Sequence, residues 1–242
     1  MTDAPLLSCR GVCKSYGAVR VIQDVDFDVL PNEVLGILGP NGAGKTTMFN
    51  LISGDTKMDA GELIFAGEPL RSEPAFRRCQ RGIGRTYQVP QPYGGLSTFE
   101  NLLVAAMFGA GRDTQAAYDH SAAILEYCGL SGRANTLAES LTLLDRKRLE
   151  LARALASDPK LLLLDEIAGG LTDEESSELV ELVRNIRDRN VTIIWIEHVL
   201  RAIMAAADRI IVLDFGIKIA DGAPQEVMKN PDVQRVYMGI EV

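Results

Sequence analysis

Val34-Leu35-Gly36-Ile37-Leu38-Gly39-Pro40-Asn41-Gly42-Ala43-Gly44-Lys45-Thr46 runs without a break from a short apolar stretch into the pattern Gly-x-x-x-x-Gly-Lys-Thr. The apolar stretch has the length and continuity of a strand buried on both faces of a parallel sheet. The glycines after it let backbone N–H groups wrap an anion, and a helix starting here turns its N-terminus toward that anion. Residues 39–46 therefore read as a P-loop, with Lys45 on the β/γ oxygens of a nucleoside triphosphate and the Thr46 hydroxyl on Mg²⁺. Gly39, Pro40, Asn41, Gly42, Ala43, Gly44, Lys45, Thr46 and Thr47 are the candidate phosphate-binding residues.

Two further apolar runs deliver charged residues in the same manner. Leu161 to Leu164 ends in Asp165-Glu166, and Val191 to Ile196 ends in Glu197-His198. Open α/β sheets bind ligands at the carboxyl ends of their strands, so these residues are expected beside the P-loop. Asp165 suits a metal ligand, Glu166 a general base for water, and His198 a donor to the γ-phosphate. Between the two runs, Asp173 to Arg189 places Leu179, Val180, Leu182, Val183 and Ile186 at helical spacing, which makes a strand-helix-strand unit. Val25 to Val29 alternates like a half-exposed strand. The stretch 89–156 is mainly helical instead, with helices expected over 101–108, 116–128 (ending at Gly129) and 145–156.

Composition narrows the class. With 242 residues, 47% of them hydrophobic, the chain can bury one sizeable core. A formal net charge of -8 argues against nucleic acid as a main partner, because no general basic surface exists to neutralise phosphates. Four cysteines without a Cys-x-x-Cys pair, and only two histidines, argue against a zinc or disulfide framework. No signal-like segment opens the chain, and no run approaches the roughly 18 apolar residues of a membrane span. A cytoplasmic protein that docks on a membrane partner is the expectation.

These motifs, in this order, resemble the ATP-binding subunits of ABC transporters along essentially the whole chain. The resemblance implies a P-loop NTPase fold: a RecA-like core with a mostly parallel sheet, an N-terminal antiparallel β-subdomain and an inserted α-helical subdomain. One nucleotide-binding domain, 1–242, would comprise a core of 1–88 and 157–242 and a helical subdomain of 89–156. It implies ATP and Mg²⁺, a second ATPase subunit paired head-to-tail, and transmembrane permease subunits on the inner face of the cell membrane. It implies that Tyr16 stacks on adenine, that Gln88 in Arg85-Thr86-Tyr87-Gln88 senses Mg²⁺ and the membrane partner, and that 168–172 is the D-loop. Thr98 to Val104, Ile196-Glu197-His198 and Pro231 to Gly239 resemble the ATPases of branched-chain or hydrophobic amino-acid importers, which also use a solute-binding protein. The ending is similar to that of lipopolysaccharide-exporter ATPases too, and a regulator with little catalysis is a third alternative.

The chain departs from the family at its signature. Where Leu-Ser-Gly-Gly-Gln is usual, Leu141-Thr142-Leu143-Leu144-Asp145 precedes Arg148 to Leu155. Thr142 keeps a hydroxyl for the nucleotide of the partner subunit. Leu143 and Leu144 add bulk where small residues allow close approach, and Asp145 is expected to bring negative charge toward the γ-phosphate. The proline usual after the Walker B acids is replaced by Ile167.

Overall fold

A computed structural model of the protein describes residues 4–238. The chain opens with β1 (Leu7–Tyr16) and β2 (Val19–Val29), an antiparallel pair. β3 (Val34–Leu38) is buried throughout, as its unbroken apolar sequence requires, and leads through the Gly-rich loop into α1 (Lys45–Ser53). β4 (Ala60–Phe65) and β5 (Glu68–Pro69) return to the first pair and complete a four-stranded antiparallel sheet in the order β2-β1-β4-β5. α2 (Ala75–Gln80) and β6 (Ile83–Arg85) close this half.

A helical stretch follows: α3 (Thr98–Val104), continued by a π turn over Ala105–Gly109, then α4 (Thr114–Tyr127) and α5 (Leu143–Ala156). All three helices begin two or three residues before the positions expected from apolar spacing, because each is set by a cap. Ser97 and Glu100 form a reciprocal capping box, Asp113 accepts the Ala116 N–H, and Thr142 accepts the Asp145 N–H. The remainder alternates: β7 (Leu161–Asp165), α6 (Asp173–Arg187), β8 (Thr192–Ile196), α7 (Leu200–Ala206), β9 (Arg209–Asp214) and β10 (Ile217–Gly222), ending in α8 (Pro224–Val227) and α9 (Pro231–Met238).

The second sheet has six strands in the order β10-β9-β3-β8-β7-β6, parallel except for β10. Alternate residues feed two cores. Leu162, Leu164, Ile193 and Trp195 pack with α5, α6 and α7, whereas Leu161, Leu163, Ile194 and Ile196 pack with α1 and the antiparallel sheet. The two-residue period of a strand thus clamps the sheet between both halves of the molecule. Across β3, β8 and β7 the register pairs Ile37 with Ile196 and Ile196 with Asp165. Gly39, Glu197 and Glu166 therefore leave the sheet side by side at one edge.

Candidate functional site

At that edge lies a cavity of about 530 Å³ lined by Val21, residues 41–47, Gln88, Glu166 and His198. The loop's shape requires glycine. Gly39 has φ 152° and Gly44 φ 99°, and a Cβ would lie 2.2 Å from the Leu213 carbonyl oxygen or 2.6 Å from that of Val21, respectively. Lys45 is buried and its Nζ donates to the Gly39 and Pro40 carbonyls at 2.7 and 2.9 Å. Burial pulls its pKa below the ordinary lysine value, opposed by the Glu166 and Asp165 carboxylates.

Asp165 ends β7 with its carboxylate almost wholly buried against Arg85, whose Nη2 donates to Oδ2 at 3.1 Å. Burial pushes the Asp165 pKa up and Glu166 adds to this, while Arg85 and Lys45 oppose it. Arg85 Nη1 also reaches Asn50, Ser53 and Asp55 at the end of α1, so one guanidinium joins β6, β7 and α1. The Arg85 contact uses Oδ2 of Asp165 and Gln88 Nε2 donates to Glu166, which leaves Asp165 Oδ1, Gln88 Oε1 and the Thr46 hydroxyl as oxygen donors of the kind Mg²⁺ takes.

Glu166 is the centre of the polar cluster. Its Oε1 lies 2.5 Å from His198 Nε2 and its Oε2 accepts from Gln88 Nε2 at 2.5 Å. Its φ is +48°, a left-handed conformation that costs a non-glycine residue about 1–3 kcal/mol and persists only where surroundings hold it. A carboxylate held by a neutral amide and an imidazole at a cavity wall can take a proton from water, the arrangement a hydrolytic base requires. Behind it, buried Lys147 donates to the Gln88 and Glu166 carbonyls at 3.3 and 3.0 Å. Buried Glu197 accepts backbone N–H groups of Ala168 at 2.6 Å, His198 at 3.0 Å and Val199 at 3.2 Å.

Tyr16 and Thr142 lie outside this cavity wall. Tyr16, half exposed at the end of β1, has its ring 5.3 Å from Lys14 Nζ. Thr142 caps α5, its hydroxyl accepting the Asp145 N–H at 3.2 Å. The Asp145 carboxylate is largely buried and pairs with Arg133 at 3.3 Å. Leu143 is exposed and sits against Gly170, where a Cβ added to the glycine would lie 3.4 Å from its Cδ2. A second groove, of about 280 Å³, opens beside Gln88 between Phe76, Tyr87, Tyr93, Phe108 and Arg153.

Four contributors escaped the sequence reading. Arg85, Lys147 and Glu197 act through backbone or through partners far along the chain, and the fourth, Tyr237 on α9, accepts the Gly39 N–H at 2.5 Å. Only Lys147 left a signal: with Leu151, Ala154 and Leu155 it falls on the apolar face of α5, where a lysine is out of place.

The chain is similar to known proteins over nearly its full length. Residues 22–169 match the family described as ABC transporter, and residues 218–242 match the one described as branched-chain amino acid ATP-binding cassette transporter. The high-affinity branched-chain amino acid transport ATP-binding protein LivG of Escherichia coli K12 is 36% identical over 97% of this chain and 98% of its own. The lipopolysaccharide export system ATP-binding protein LptB of Haemophilus influenzae is 33% identical over 97% of both chains. The crystal structure of the ADP conformation of MJ1267, an ATP-binding cassette of an ABC transporter, superposes with a TM-score of 0.87 at 27% identity, covering 98% of this chain and all of that one. The chain therefore belongs to the ABC transporter family as one of its ATP-binding subunits, an ATPase whose hydrolysis is coupled to transport.

Proposed function

We propose that this ATPase drives an importer of amino acids or similar small organic solutes. The observation that carries this reading is the match of residues 218–242 to the branched-chain amino acid family, added to the full-length likeness to LivG. In this reading the chain sits on the inner face of the cell membrane, pairs with a second ATPase subunit and serves permease subunits fed by a solute-binding protein. Residues 89–156 move as a helical subdomain against the core. The aromatic groove beside Gln88 supports a permease contact there, since Phe76 and Phe108 are exposed on its walls.

Chemically, Lys45 and the loop N–H groups hold the β/γ phosphates, and Tyr16 stacks on adenine. Thr46, Asp165 and Gln88 are the residues that would hold Mg²⁺, which supplies charge neutralisation on the phosphate oxygens. Glu166 takes the proton from the attacking water as the bond between Pγ and the bridging oxygen breaks, and His198 donates to the charge that develops on the γ-phosphoryl group. Thr142 serves the nucleotide of the opposite subunit. The likeness to LptB favours one second reading, a lipopolysaccharide exporter. Reconstitution with its membrane subunits in lipid vesicles separates the two. Stimulation of ATP hydrolysis by an amino-acid-loaded binding protein supports the importer, and stimulation by lipopolysaccharide alone overturns it.

A further inference from the structure

The side chains that meet in the cavity, Gln88, Glu166 and His198, come from three loops, and none of these loops is held by its own secondary structure. What holds them is a layer one residue deeper. Lys147, 4% exposed, spans the Gln88 and Glu166 carbonyls with a single ammonium. Glu197, 2% exposed, gathers the Ala168, His198 and Val199 N–H groups with both carboxylate oxygens. The Glu166 N–H completes the set by donating to the Ile196 carbonyl at 2.9 Å.

This division of labour is chemically specific. Two carbonyls need a donor, and a lysine brings more than one to a single point; three N–H groups need an acceptor, and a carboxylate offers two oxygens. Neither side chain lines the cavity. Both are buried at a cost that an apolar residue would avoid. Lys147 also lies on α5, the helix capped by Thr142, so the same ammonium links the signature segment to the loops of this chain's own site.

We propose that Lys147 and Glu197 are a buried positioning pair that fixes the backbones of Gln88, Glu166 and His198 in hydrolytic geometry and ties that geometry to the signature helix. The pair acts on the chemical step and not on nucleotide capture, because its partners are the loops that carry the base and its neighbours, while the P-loop is shaped independently by its glycines. The inference rests on the reading of Glu166 as the base.

The test measures MgATP affinity and steady-state turnover of the full-length chain in Lys147→Met, Lys147→Gln, Glu197→Gln and the Lys147→Met/Glu197→Gln double variant. Lys147→Met keeps affinity within about threefold and loses about 10- to 100-fold in kcat, the scale of a small misplacement of reacting groups. Lys147→Gln, which retains a donor, recovers part of kcat, and the double variant loses less than the product of the single losses because both residues hold one assembly. Should Lys147→Met fail to fold, Lys147→Gln gives the same reading of kcat against affinity. Unchanged kcat, a proportional loss of kcat and affinity, or independent multiplicative losses would each overturn the pair. Glu166→Gln run in parallel separates the two claims. Turnover retained in Glu166→Gln removes the base assignment, whereas its loss beside full turnover in Lys147→Met removes only the pair.

Discussion

Replacing Arg85 by methionine removes the partner of a carboxylate that has almost no access to water. The Asp165 side chain is 4% exposed and that of Arg85 7%, with 3.1 Å between them. Removing one member of a buried ion pair costs about 3–5 kcal/mol, mostly as the uncompensated charge left behind. The Asp55 contact adds little, since that carboxylate is about a third exposed and such pairs contribute about 0–1 kcal/mol. At about 2–4 °C per kcal/mol for a chain of this size, thermal unfolding should fall by about 6–20 °C. The pH dependence gives an independent sign. Burial holds the folded Asp165 pKa above its ordinary value, so the folded state keeps its proton longer than the unfolded state, and stability falls as pH rises through that window. Arg85 opposes this shift, and its removal extends the window upward. The deficit of the variant against wild type should therefore shrink in acid, and Asp165→Asn placed in the Arg85→Met background should restore stability. Urea unfolding across pH reads both. A loss below about 1 kcal/mol, or a deficit that neither acid nor Asp165→Asn reduces, refutes the assignment of Arg85 as the Asp165 counter-ion.

Tyr16→Ala should raise the KM for ATP with a smaller effect on kcat, because stacking serves ground and transition states alike; a collapse of kcat at constant KM contradicts it. Leu143→Gly/Leu144→Gly should raise the ATPase of the isolated chain, by up to about 10²-fold, if the leucines block the γ-phosphate of the opposite subunit. Activity unchanged by the glycines would instead mean that Leu143 only packs on Gly170. Tyr237→Phe deletes the acceptor of the Gly39 N–H, a bond with a net contribution of about 0.5–1.5 kcal/mol, and should speed hydrogen exchange at the Gly39 amide by up to about tenfold.

What could be read from the chain and what could not follow a physical line. β3 lies at 34–38 as expected because a strand buried on both faces needs an unbroken apolar run, and the same logic located β7 and β8. Lys45 and Thr46 could be placed from the Gly-rich motif, and Glu166 and His198 beside them because strand ends in a parallel sheet converge on one edge, whereas Gln88 followed from the family resemblance alone. Helix starts were less so. Apolar spacing marks the buried face of a helix, whereas Ser97, Asp113 and Thr142 set its first turn through a hydrogen bond that no periodicity reports. The setting of Asp145 was hidden for a related reason: Arg133, twelve residues earlier, pairs with its carboxylate, a contact that no spacing in the sequence reports. Glu197 stayed hidden because it binds backbone groups, which every residue carries, and Lys147 showed itself only as a lysine on the apolar face of a helix.

The central claim is that this chain's own P-loop and carboxylates form a hydrolytic ATP site with Glu166 as its base. It is tested most directly by MgATP binding and multiple-turnover hydrolysis in Glu166→Gln beside wild type. The substitution keeps the shape of the side chain and leaves Asp165 and Thr46 intact. Binding should persist while turnover falls by about 10²- to 10⁴-fold, the range for loss of a general base. Hydrolysis by Glu166→Gln near the wild-type rate would contradict the account.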